Sequence, residues 1–384
     1  MNKPDSLSFW EKESFFKNID IAIIGSGIVG LNAALRLKEI DTNLNIAVFE
    51  RGALPEGAST RNAGFACFGS VTELLDDLET RPEDEVFSLV ERRYKGLLKL
   101  RQRVGDAHLK YEEYGGYEIF KEKESNTLNS CLERLFYFNE KLQSITGLKD
   151  TYKVSKEDFG FQNTSKILIH NTAEGQIDTG NMMSTLLNLC KSRGIILFNG
   201  IEIDEIIDSK SDSKNSVTLL TKEGWEITTN KVIVATNGFA RRLLPDLEVI
   251  PARNQVLITK PIEGLKLKGC FHYDKGYYYF RNVGNRILLG GGRNLDFENE
   301  MTDAFGTTDI IQKSLLKLLD TTILPQQKYE IDGWWSGILG IGSQKKPIIQ
   351  HVSTNVVVAV RMGGMGVAIG SLVGEDAAEL LLKY

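Results

Sequence analysis

The segment from residue 19 to residue 50 constrains the fold more than any other part of the chain. An apolar run at 21–24 predicts a buried strand, which leads directly into GSGIVG at 25–30, a match to the pattern G-x-G-x-x-G. A helical pattern follows, and a second apolar strand at 46–49 ends in Glu50. Strand, glycine turn, helix, strand and acid stand in the order of a Rossmann-like dinucleotide-binding unit. A chance glycine-rich turn is the alternative, and it would not explain that order.

Each part of this unit has a physical role in binding a dinucleotide. Gly25 permits the tight turn out of the strand, Gly27 lets the backbone approach a pyrophosphate, and Gly30 lets the helix pack closely on the sheet. The helix N-terminus offers unpaired N–H groups and a partial positive charge to the phosphates. A carboxylate at the end of the second strand can accept hydrogen bonds from a ribose diol. We therefore predict cofactor contacts at Gly25, Ser26, Gly27, Ile28, Val29, Gly30, Glu50 and Arg51.

Composition narrows the class of protein. A length of 384 residues suits two domains, and the net charge of −5 with scattered Lys and Arg argues against nucleic-acid binding. The start of the chain lacks the apolar core of a signal peptide, and no apolar run is long enough for a membrane helix, so we expect a cytoplasmic protein. The four cysteines lie far apart without a C-x-x-C pair, so we expect buried reduced thiols and no metal site. The four histidines are isolated and are interpreted as structural.

The order of the segments predicts an α/β protein built from two interleaved domains. We assign 1–75, 155–240 and 330–384 to a discontinuous Rossmann-like domain that binds the cofactor. We assign 76–154 and 241–329 to an α+β substrate domain, because the first of these is rich in helical spacing and the second contains strand patterns that fit an antiparallel sheet.

Three later segments resemble proteins that bind FAD. The strand at 231–234 ends in Ala235, Thr236, Asn237 and Gly238, which resembles the second flavin-contacting motif of two-domain FAD proteins. The segment Ser59, Thr60, Arg61, Asn62, Ala63 and Gly64 resembles the loop beside the isoalloxazine ring in FAD-dependent amine and amino-acid oxidoreductases. The cluster Gly363, Gly364, Met365 and Gly366 opens a final helix, which suits a flavin pyrimidine oxygen or ribityl chain. Each segment alone could be an ordinary turn or a solvated loop.

Together these segments resemble the FAD-dependent D-amino-acid oxidase and glycine oxidase superfamily. The branch that contains gamma-glutamylputrescine oxidase and D-amino-acid dehydrogenase is the most similar. The resemblance implies FAD contacts at the residues of all three segments. It also implies non-covalent FAD, because the attachment positions of some relatives would need a cysteine within 331–366 or a histidine within 51–70, and neither is present.

The chain departs from the family at its substrate-binding and oxygen-activating positions. Leu339 stands where D-amino-acid oxidases place a carboxylate-binding arginine. Ala368 and Leu288 stand where sarcosine-oxidase relatives place two lysines, the second of which promotes the reaction with oxygen. The sequence therefore leaves the substrate class and the electron acceptor open.

Three residues are predicted to act at the substrate. Strand alternation places Tyr277, Tyr279 and Arg281 on one face, where Tyr279 would cap the substrate and Arg281 would bind an anion. Arg361 precedes the C-terminal glycines and is a second candidate. The alternatives are a surface ladder of aromatic and charged residues for the first set and a surface arginine at a strand end for Arg361.

The resemblance favours an enzyme that oxidises a C–N bond of a small-molecule amine or amino acid by hydride transfer to flavin N5. Two alternatives remain open at this point: oxidation of a C–OH group in a 2-hydroxy acid or related substrate, and a non-catalytic flavin-binding protein.

Overall fold

The structure is a computed structural model that describes residues 7–211 and 214–383, with the backbone alone at 209–211, 214 and 215. The α-helices are α1 (Phe9–Glu11), α2 (Ile28–Ile40), α3 (Ala58–Arg61), α4 (Val71–Thr80), α5 (Glu83–Val104), α6 (Asp106–Leu109), α7 (Ser125–Thr146), α8 (Thr179–Ser192), α9 (Asp309–Leu318) and α10 (Gly366–Leu382).

The strands divide between two large sheets and one small pair. In chain order they are β1 (Ile19–Ile24), β2 (Ile46–Glu50), β3 (Phe65–Ala66), β4 (Gly116–Ile119), β5 (Tyr152–Ser155), β6 (Leu168–Asn171), β7 (Gly175–Gln176), β8 (Ile196–Asn199), β9 (Ile203–Ser211), β10 (Lys214–Thr221), β11 (Glu226–Val234), β12 (Ile250–Thr259), β13 (Cys270–Tyr273), β14 (Tyr278–Val283), β15 (Arg286–Gly291), β16 (Ile331–Ile341), β17 (Ile348–Ser353) and β18 (Val356–Val360).

The first sheet carries the predicted nucleotide-binding unit. Its main path is β17-β18-β11-β1-β2-β8, with β10 and β9 added at β11. β18, β11, β1, β2 and β8 run parallel, whereas β17 pairs antiparallel with β18. All five residues of β2 are buried, as expected for a parallel strand covered on both faces. One face of this sheet packs on α2, α8 and α10. Side chains of the other face form a second core together with residues of β9, β10 and β11. The glycine turn after β1 therefore lies between two cores.

The second sheet has the order β16-β12-β15-β14-β13-β4-β6-β5 and is antiparallel except for the β13–β4 pair. Side chains of one face, among them Leu257, Phe271 and Phe280, form a core with α9. The opposite face, which we call the loop side, meets the segment 58–68, because Ala63 packs there against Val256 and Leu288. The loop side of the second sheet therefore lies next to the segment that resembles a flavin-contacting loop.

Sheet membership differs from the predicted division at two places. β16 and β6 fall inside segments assigned to the cofactor domain, yet both pair within the second sheet. Strand pairing depends on partners distant in sequence, and β16 acquires its place from β12, with which it shares a register from Ile250 to Thr259. The domain boundaries themselves remain a prediction.

The mixed α/β class is confirmed, with a first sheet built around five parallel strands and a largely antiparallel second sheet. Among the described helices, none is long and apolar enough to cross a membrane.

Candidate functional site

The glycine turn after β1 has the geometry that the pattern predicts. Gly25 has φ of +105°, and a Cβ at this residue would lie 2.9 Å from the carbonyl oxygen of Ala235. A Cβ at Gly30 would lie 2.0 Å from the carbonyl oxygen of Gly25, so a side chain would push α2 off the turn. Gly27 is the N-cap of α2 and supplies no side-chain cap, so the N-terminus of this helix lies at the space that Gly27, Ile28 and Val29 line. An anion held in that space meets backbone donors at the positive end of a helix.

Glu50 closes the turn from the side of β2. It is 7% exposed. Its carboxylate accepts hydrogen bonds from the Ser26 hydroxyl at 2.7 Å, the Ser26 amide at 3.3 Å and the Gly52 amide at 3.1 Å. These bonds hold the carboxylate at the wall of the cavity described below, where the acid of a dinucleotide site is required.

The segment 58–64 is tied to the glycine turn and to itself. The Ser59 hydroxyl accepts a hydrogen bond from the Ile28 amide at 2.9 Å. The Asn62 side chain donates to the Ser59 carbonyl at 2.8 Å and accepts from the Gly64 amide at 2.8 Å and the Thr179 hydroxyl at 2.9 Å. These bonds give the segment a defined shape next to the first turn of α2.

Other residues of this loop also have defined contacts. The Arg61 guanidinium donates to the Ser336 carbonyl at 3.2 Å and lies over the Phe305 ring, and the Thr60 hydroxyl donates to the Gly57 carbonyl at 3.1 Å. Arg51 lies over the ring of Phe239, with its guanidinium carbon 3.9 Å from the ring centre.

The turn after β11 joins the same site. Asn237 has φ of +46°, and its Oδ1 accepts hydrogen bonds from the amides of Arg361 at 3.1 Å and Met362 at 3.3 Å. A Cβ at Gly238 would lie 2.5 Å from the carbonyl oxygen of Leu339. The Thr236 hydroxyl is buried without a hydrogen-bond partner among the described residues. That hydroxyl lies in the wall of the cavity, where a bound group can satisfy it.

The C-terminal glycines supply the last wall. Gly363 and Gly364 have φ of +57° and +84°, conformations that favour glycine, and α10 begins two residues later at Gly366. Gly364 and Gly366 line the cavity together with Met362. The turn therefore presents backbone and a helix N-terminus, rather than large side chains, to whatever occupies the cavity.

These segments enclose one elongated cavity of about 1330 Å³, a volume that includes its opening to solvent. It runs from the C-terminal glycines and Asn62, past the glycine turn and Glu50, to the segment 201–204 and Phe239. The residues fit FAD on three structural grounds: a glycine cradle that a Cβ would fill, an unpaired buried hydroxyl at Thr236, and a buried carboxylate at the end of β2. Of the predicted cofactor residues, the following line it: Gly25, Gly27, Ile28, Val29, Glu50, Arg51, Ser59, Asn62, Ala235, Thr236, Asn237, Gly364 and Gly366.

Tyr279 and Arg281 share the loop side of the second sheet, as predicted. Register places Val256, Gly290, Tyr279, His272 and Glu118 in one row across five strands, and directly paired residues point to the same face. Tyr279 contacts the Phe65 ring at 5.6 Å between centroids, and a Cβ at Gly290 would lie 2.7 Å from its ring and hydroxyl. Burial raises the pKa of Tyr279 to about 12, so this residue stays protonated at neutral pH.

Tyr277 lies at the exposed end of this face. β14 begins at Tyr278, and Tyr277 ends a turn in which Asp274, Lys275 and Gly276 all have positive φ. Pairing nevertheless reaches Tyr277, whose carbonyl accepts the Gly292 amide at 2.9 Å, and its side chain is 42% exposed beside Phe297.

Arg281 is buried against the loop that it faces. Its guanidinium donates to the carbonyls of Ala63, Ile177 at 2.9 Å and Asn282 at 3.3 Å. Burial lowers the pKa of Arg281. These bonds fix the turn at Gly64, which has φ of +73°.

Arg361 is turned away from the cavity. It follows β18 with φ of +69°, and its guanidinium donates to the Lys346 carbonyl at 3.1 Å and to the Glu248 carbonyl at 3.2 Å and carboxylate at 3.3 Å. The structure therefore does not bring the Arg361 side chain to Tyr279. Only its backbone amide reaches the site, through Asn237.

Three residues replace the arginine and the two lysines of family members, and they lie in different parts of the structure. Leu339 lines the cavity and lies on the loop side, whereas Leu288 packs beside Ala63. Ala368 packs into the helix layer instead: a Cβ at Gly96 of α5 would lie 2.3 Å from its carbonyl oxygen.

Two residues near the site escaped the sequence analysis. Asn254 of β12 lies on the loop side with its side chain close to the Tyr279 hydroxyl, and its buried Oδ1 has no partner in the described part of the chain. Arg293 follows Gly292 at the end of β15. Its guanidinium carbon lies 4.8 Å from the centre of the Phe297 ring, and it forms no hydrogen bond or ion pair with any residue described here. Burial lowers the pKa of Arg293.

The comparison with protein families decides the class of this chain. Residues 20–380 match the model of the DAO family, described as FAD dependent oxidoreductase. The chain belongs to this family. It is therefore an FAD-dependent oxidoreductase, and FAD is the cofactor for which the cavity is built.

Individual relatives in the DAO family are distant but cover nearly the whole chain. Gamma-glutamylputrescine oxidoreductase of Escherichia coli (strain K12) is 25% identical over 378 residues, covering 94% of this chain and 83% of the relative. Glycine oxidase of Geobacillus kaustophilus (strain HTA426) is 24% identical over 330 residues, covering 83% of this chain and 80% of the relative.

Solved structures of the DAO family share the fold. The crystal structure of glycine oxidase from Geobacillus kaustophilus superposes with a TM-score of 0.72 at 20% identity, covering 94% of each chain. An L-amino acid deaminase from Proteus vulgaris gives a TM-score of 0.72 at 19% identity, covering 95% of this chain and 90% of the other.

Proposed function

We propose that this FAD-dependent oxidoreductase oxidises the C–N bond of a small amine or amino acid. Bound FAD supplies the oxidant, because flavin N5 accepts a hydride from the carbon next to nitrogen. The chain itself has to bind the substrate, orient its carbon, keep its nitrogen uncharged and exclude water.

The observation that carries this proposal is the unpaired Oδ1 of Asn254 beside Tyr279. An amine can release a hydride only when its nitrogen keeps its lone pair, so it must be uncharged. A neutral amide oxygen accepts an N–H bond without stabilising the ammonium form, whereas a carboxylate would stabilise it. Tyr279, protonated at neutral pH, can donate to an acceptor on the substrate. The pair therefore offers one acceptor and one donor on the loop side of the second sheet.

The surroundings of this pair hold its geometry. The Trp335 indole donates to the Arg61 carbonyl at 2.9 Å, so the cofactor loop and β16 keep a fixed separation. Arg281 binds the same loop at Ala63. Leu288 and Leu339 contribute apolar side chains on the same side of the sheet, which disfavours water beside the reacting carbon.

A substrate carboxylate would bind an arginine side chain that is not already paired with groups of the protein. Arg281 and Arg361 already donate to carbonyl or carboxylate groups of the protein. Arg293 has no such partner among the described residues. It directly follows Gly292, and because Val256 pairs with Gly290, the same register places Gly292 opposite Asn254. We therefore assign a substrate carboxylate, where one is present, to Arg293.

The relatives support the amine rather than the alcohol. The names of the two relatives above refer to a derivative of the diamine putrescine and to glycine, and both compounds carry a C–N bond that the reaction would oxidise. Oxidation of a C–OH substrate is the second candidate, and no contact at Asn254 or Tyr279 favours it over an amine.

An anaerobic screen of flavin bleaching tests the proposal. The yellow holoenzyme is mixed with amines, amino acids and 2-hydroxy acids, and the loss of flavin absorbance is followed. We expect bleaching by at least one amine or amino acid, with release of ammonia or an amine-derived carbonyl product. Bleaching by hydroxy acids alone would favour C–OH oxidation, and no bleaching by any compound would favour a non-catalytic flavin protein.

A further inference from the structure

A buried cluster of donor atoms lies beside the substrate face and takes no part in the proposed reaction. The Phe65 ring contacts Tyr279 on one side and His272 on the other, at 5.6 and 5.4 Å between ring centres. Next to His272 are Cys67 and Glu174. One ligand atom from each of these three residues lies within 4.8 Å of the other two.

One carboxylate oxygen of Glu174 and the Nε2 of His272 remain available within the cluster. Glu174 uses Oε1 to accept the amides of Phe68 at 2.9 Å and Gly69 at 3.3 Å, and its Oε2 points towards His272. The Nε2 of His272 is buried without a hydrogen-bond partner in the part of the chain that the structure describes. Its distance to Glu174 Oε2 is 3.8 Å, too long for a hydrogen bond.

Gly116 leaves the space that the Glu174 carboxylate occupies. A Cβ at Gly116 would lie 2.0 Å from Glu174 Oε2, so only glycine at this position of β4 lets the carboxylate approach. Cys270 lies two residues before His272 on β13, and its thiol is within hydrogen-bonding reach of Cys67. Two residues of one strand and two of separate loops thus converge on one point.

A thiol, an imidazole and a carboxylate are the side chains that bind zinc in proteins. At zinc-to-ligand distances of about 2.0–2.3 Å, tetrahedral ligands stand roughly 3.3–3.8 Å apart. Oxygen and nitrogen ligands lie at the short end of this range, so Glu174 Oε2 and His272 Nε2, 3.8 Å apart, would approach each other by a few tenths of an ångström on binding. We propose that Cys67, Glu174 and His272 form a binding site for a divalent cation of the zinc class, with a water as the fourth ligand.

The charge around the cluster favours a cation. Glu118 pairs directly with His272 in register and is buried, with its carboxylate accepting the Thr72 amide at 3.3 Å and the Thr72 hydroxyl. Burial raises the pKa of Glu118, which favours its neutral form, so the Glu174 carboxylate is the group that a bound cation would compensate. Burial first, and then Cys270 and Glu174, raise the pKa of the Cys67 thiol, so binding has to displace its proton.

Such an ion would join three parts of the structure: the segment 65–70, the turn between β6 and β7, and β13. Because Phe65 bridges His272 and Tyr279, the ion would also fix the ring that borders the substrate face. Its role is structural, since none of its ligands lines the cofactor cavity.

Metal analysis of the purified holoenzyme tests this site without any activity measurement. Protein expressed with added zinc is dialysed and analysed by mass spectrometry for metals. We expect about one zinc per chain in the wild type and at least a tenfold loss in Cys67→Ser, Glu174→Gln and His272→Gln. Cys131→Ser, which removes another buried thiol, should keep the wild-type content. Circular dichroism and FAD content identify variants that fail to fold.

Cobalt exchange of the wild type gives a second measurement that needs no variant. Cobalt bound to a thiolate adds a near-ultraviolet charge-transfer band to the difference spectrum against the zinc-loaded holoenzyme. We expect this band in the wild type. Background metal content in the wild type, equal content in all variants, or bound cobalt without the thiolate band would each overturn the assignment.

Discussion

Asn254 and Tyr279 lie side by side on the loop side of the second sheet, and the Oδ1 of Asn254 faces no donor among the described residues. Their strands are not neighbours, since β15 separates β12 from β14. Gly290, the β15 residue between them, carries no side chain, and the Tyr279 ring occupies the space where its Cβ would be.

Replacing Asn254 should weaken catalysis and leave the cofactor in place. Asn254→Leu removes the acceptor at similar volume, so kcat/KM for the best amine from the screen should fall about tenfold, the effect of one lost hydrogen bond of about 1–1.5 kcal/mol. Asn254→Asp would stabilise the ammonium form, so the pKa in the pH profile of kcat/KM should rise. Asn230→Leu, at an exposed position of β11, is the control. Unchanged kinetics in both Asn254 variants, with a wild type that an amine does bleach, would exclude this contact.

Arg293 should matter only for substrates with a carboxylate. Arg293→Ala removes the half-buried guanidinium. KM for such a substrate should rise roughly 5- to 160-fold, which corresponds to about 1–3 kcal/mol of lost binding, whereas KM for a neutral amine of similar size should not change. Steady-state kinetics on the two substrate types measures this difference. Arg281→Ala should instead lower the melting temperature and FAD retention, because Arg281 binds the carbonyls of Ala63 and Ile177. If Arg281→Ala keeps FAD and selectively impairs carboxylate substrates, Arg281 is the anchor.

Glu50→Ala should weaken FAD binding by about 1–3 kcal/mol, the range for a lost hydrogen bond to a charged group. The carboxylate both lines the cavity and accepts the Ser26 hydroxyl at 2.7 Å, so its removal also loosens the glycine turn. Titration of apoprotein with FAD, followed by flavin fluorescence, gives the dissociation constant. Glu91→Ala, at an exposed position of α5, should bind FAD as the wild type does. An equal affinity for Glu50→Ala would show that the ribose has another acceptor.

The flavin should be released on denaturation. Residues 331–366 contain no cysteine and 51–70 contain no histidine, and Cys67 is buried beside Glu174 rather than in the cavity wall. Acid precipitation should therefore leave a yellow supernatant and a colourless pellet. A tryptic peptide that carries flavin would identify a covalent attachment and contradict the expectation.

Glu73 should stabilise the fold in a pH-dependent way. Its Oε1 lies 3.0 Å from the guanidinium of Arg93 and 2.9 Å from Nζ of Lys345. Burial opposes ionisation, but the two cations prevail and lower the pKa of Glu73 to about 2. A lowered pKa stabilises the folded state above the unfolded pKa of about 4.5, and this contribution, on the order of 3 kcal/mol, is lost as the pH falls towards 2.

Urea denaturation at several pH values checks this prediction. Between pH 4.5 and 2, the free energy of unfolding of Glu73→Gln should fall less steeply than that of the wild type. Glu91→Gln, which removes an exposed carboxylate paired with Lys95, should retain the wild-type slope. Parallel curves for all three proteins would mean that Glu73 does not keep its lowered pKa in solution.

The cofactor turn was predictable because its geometry is local. A strand, a glycine with positive φ at Gly25, and a helix start at Ile28 are neighbours in the chain, so their spacing alone specifies the turn. The turn at Gly363 and Gly364 was predictable for the same reason, because these glycines and the start of α10 at Gly366 are neighbours in the chain. Thr236 lies within a predicted motif, and the structure adds that its hydroxyl is buried and unpaired.

The substrate face depends on distant partners, and prediction was weaker there. Asn254 comes next to Tyr279 only through the pairing of β12, β15 and β14. Alternation within a strand gave no information on where the strand begins, so it did not show that Tyr277 precedes β14 and is exposed. The cysteine spacing rule excluded a local metal motif, but it could not anticipate that Cys67, Glu174 and His272, each about a hundred residues from the next, would converge.

The side chain of Asn237 accepts the amides of Arg361 and Met362, so the wall of the cavity is closed by residues that are synthesised long after the glycine turn. At roughly 5–20 residues per second, the ribosome adds Met362 tens of seconds after Gly30. During that interval the glycine turn exists without the segment that completes its cavity. Loading with FAD is therefore a late step of biogenesis, and a nascent chain stalled before residue 360 should retain little flavin even though its phosphate-binding turn is already made.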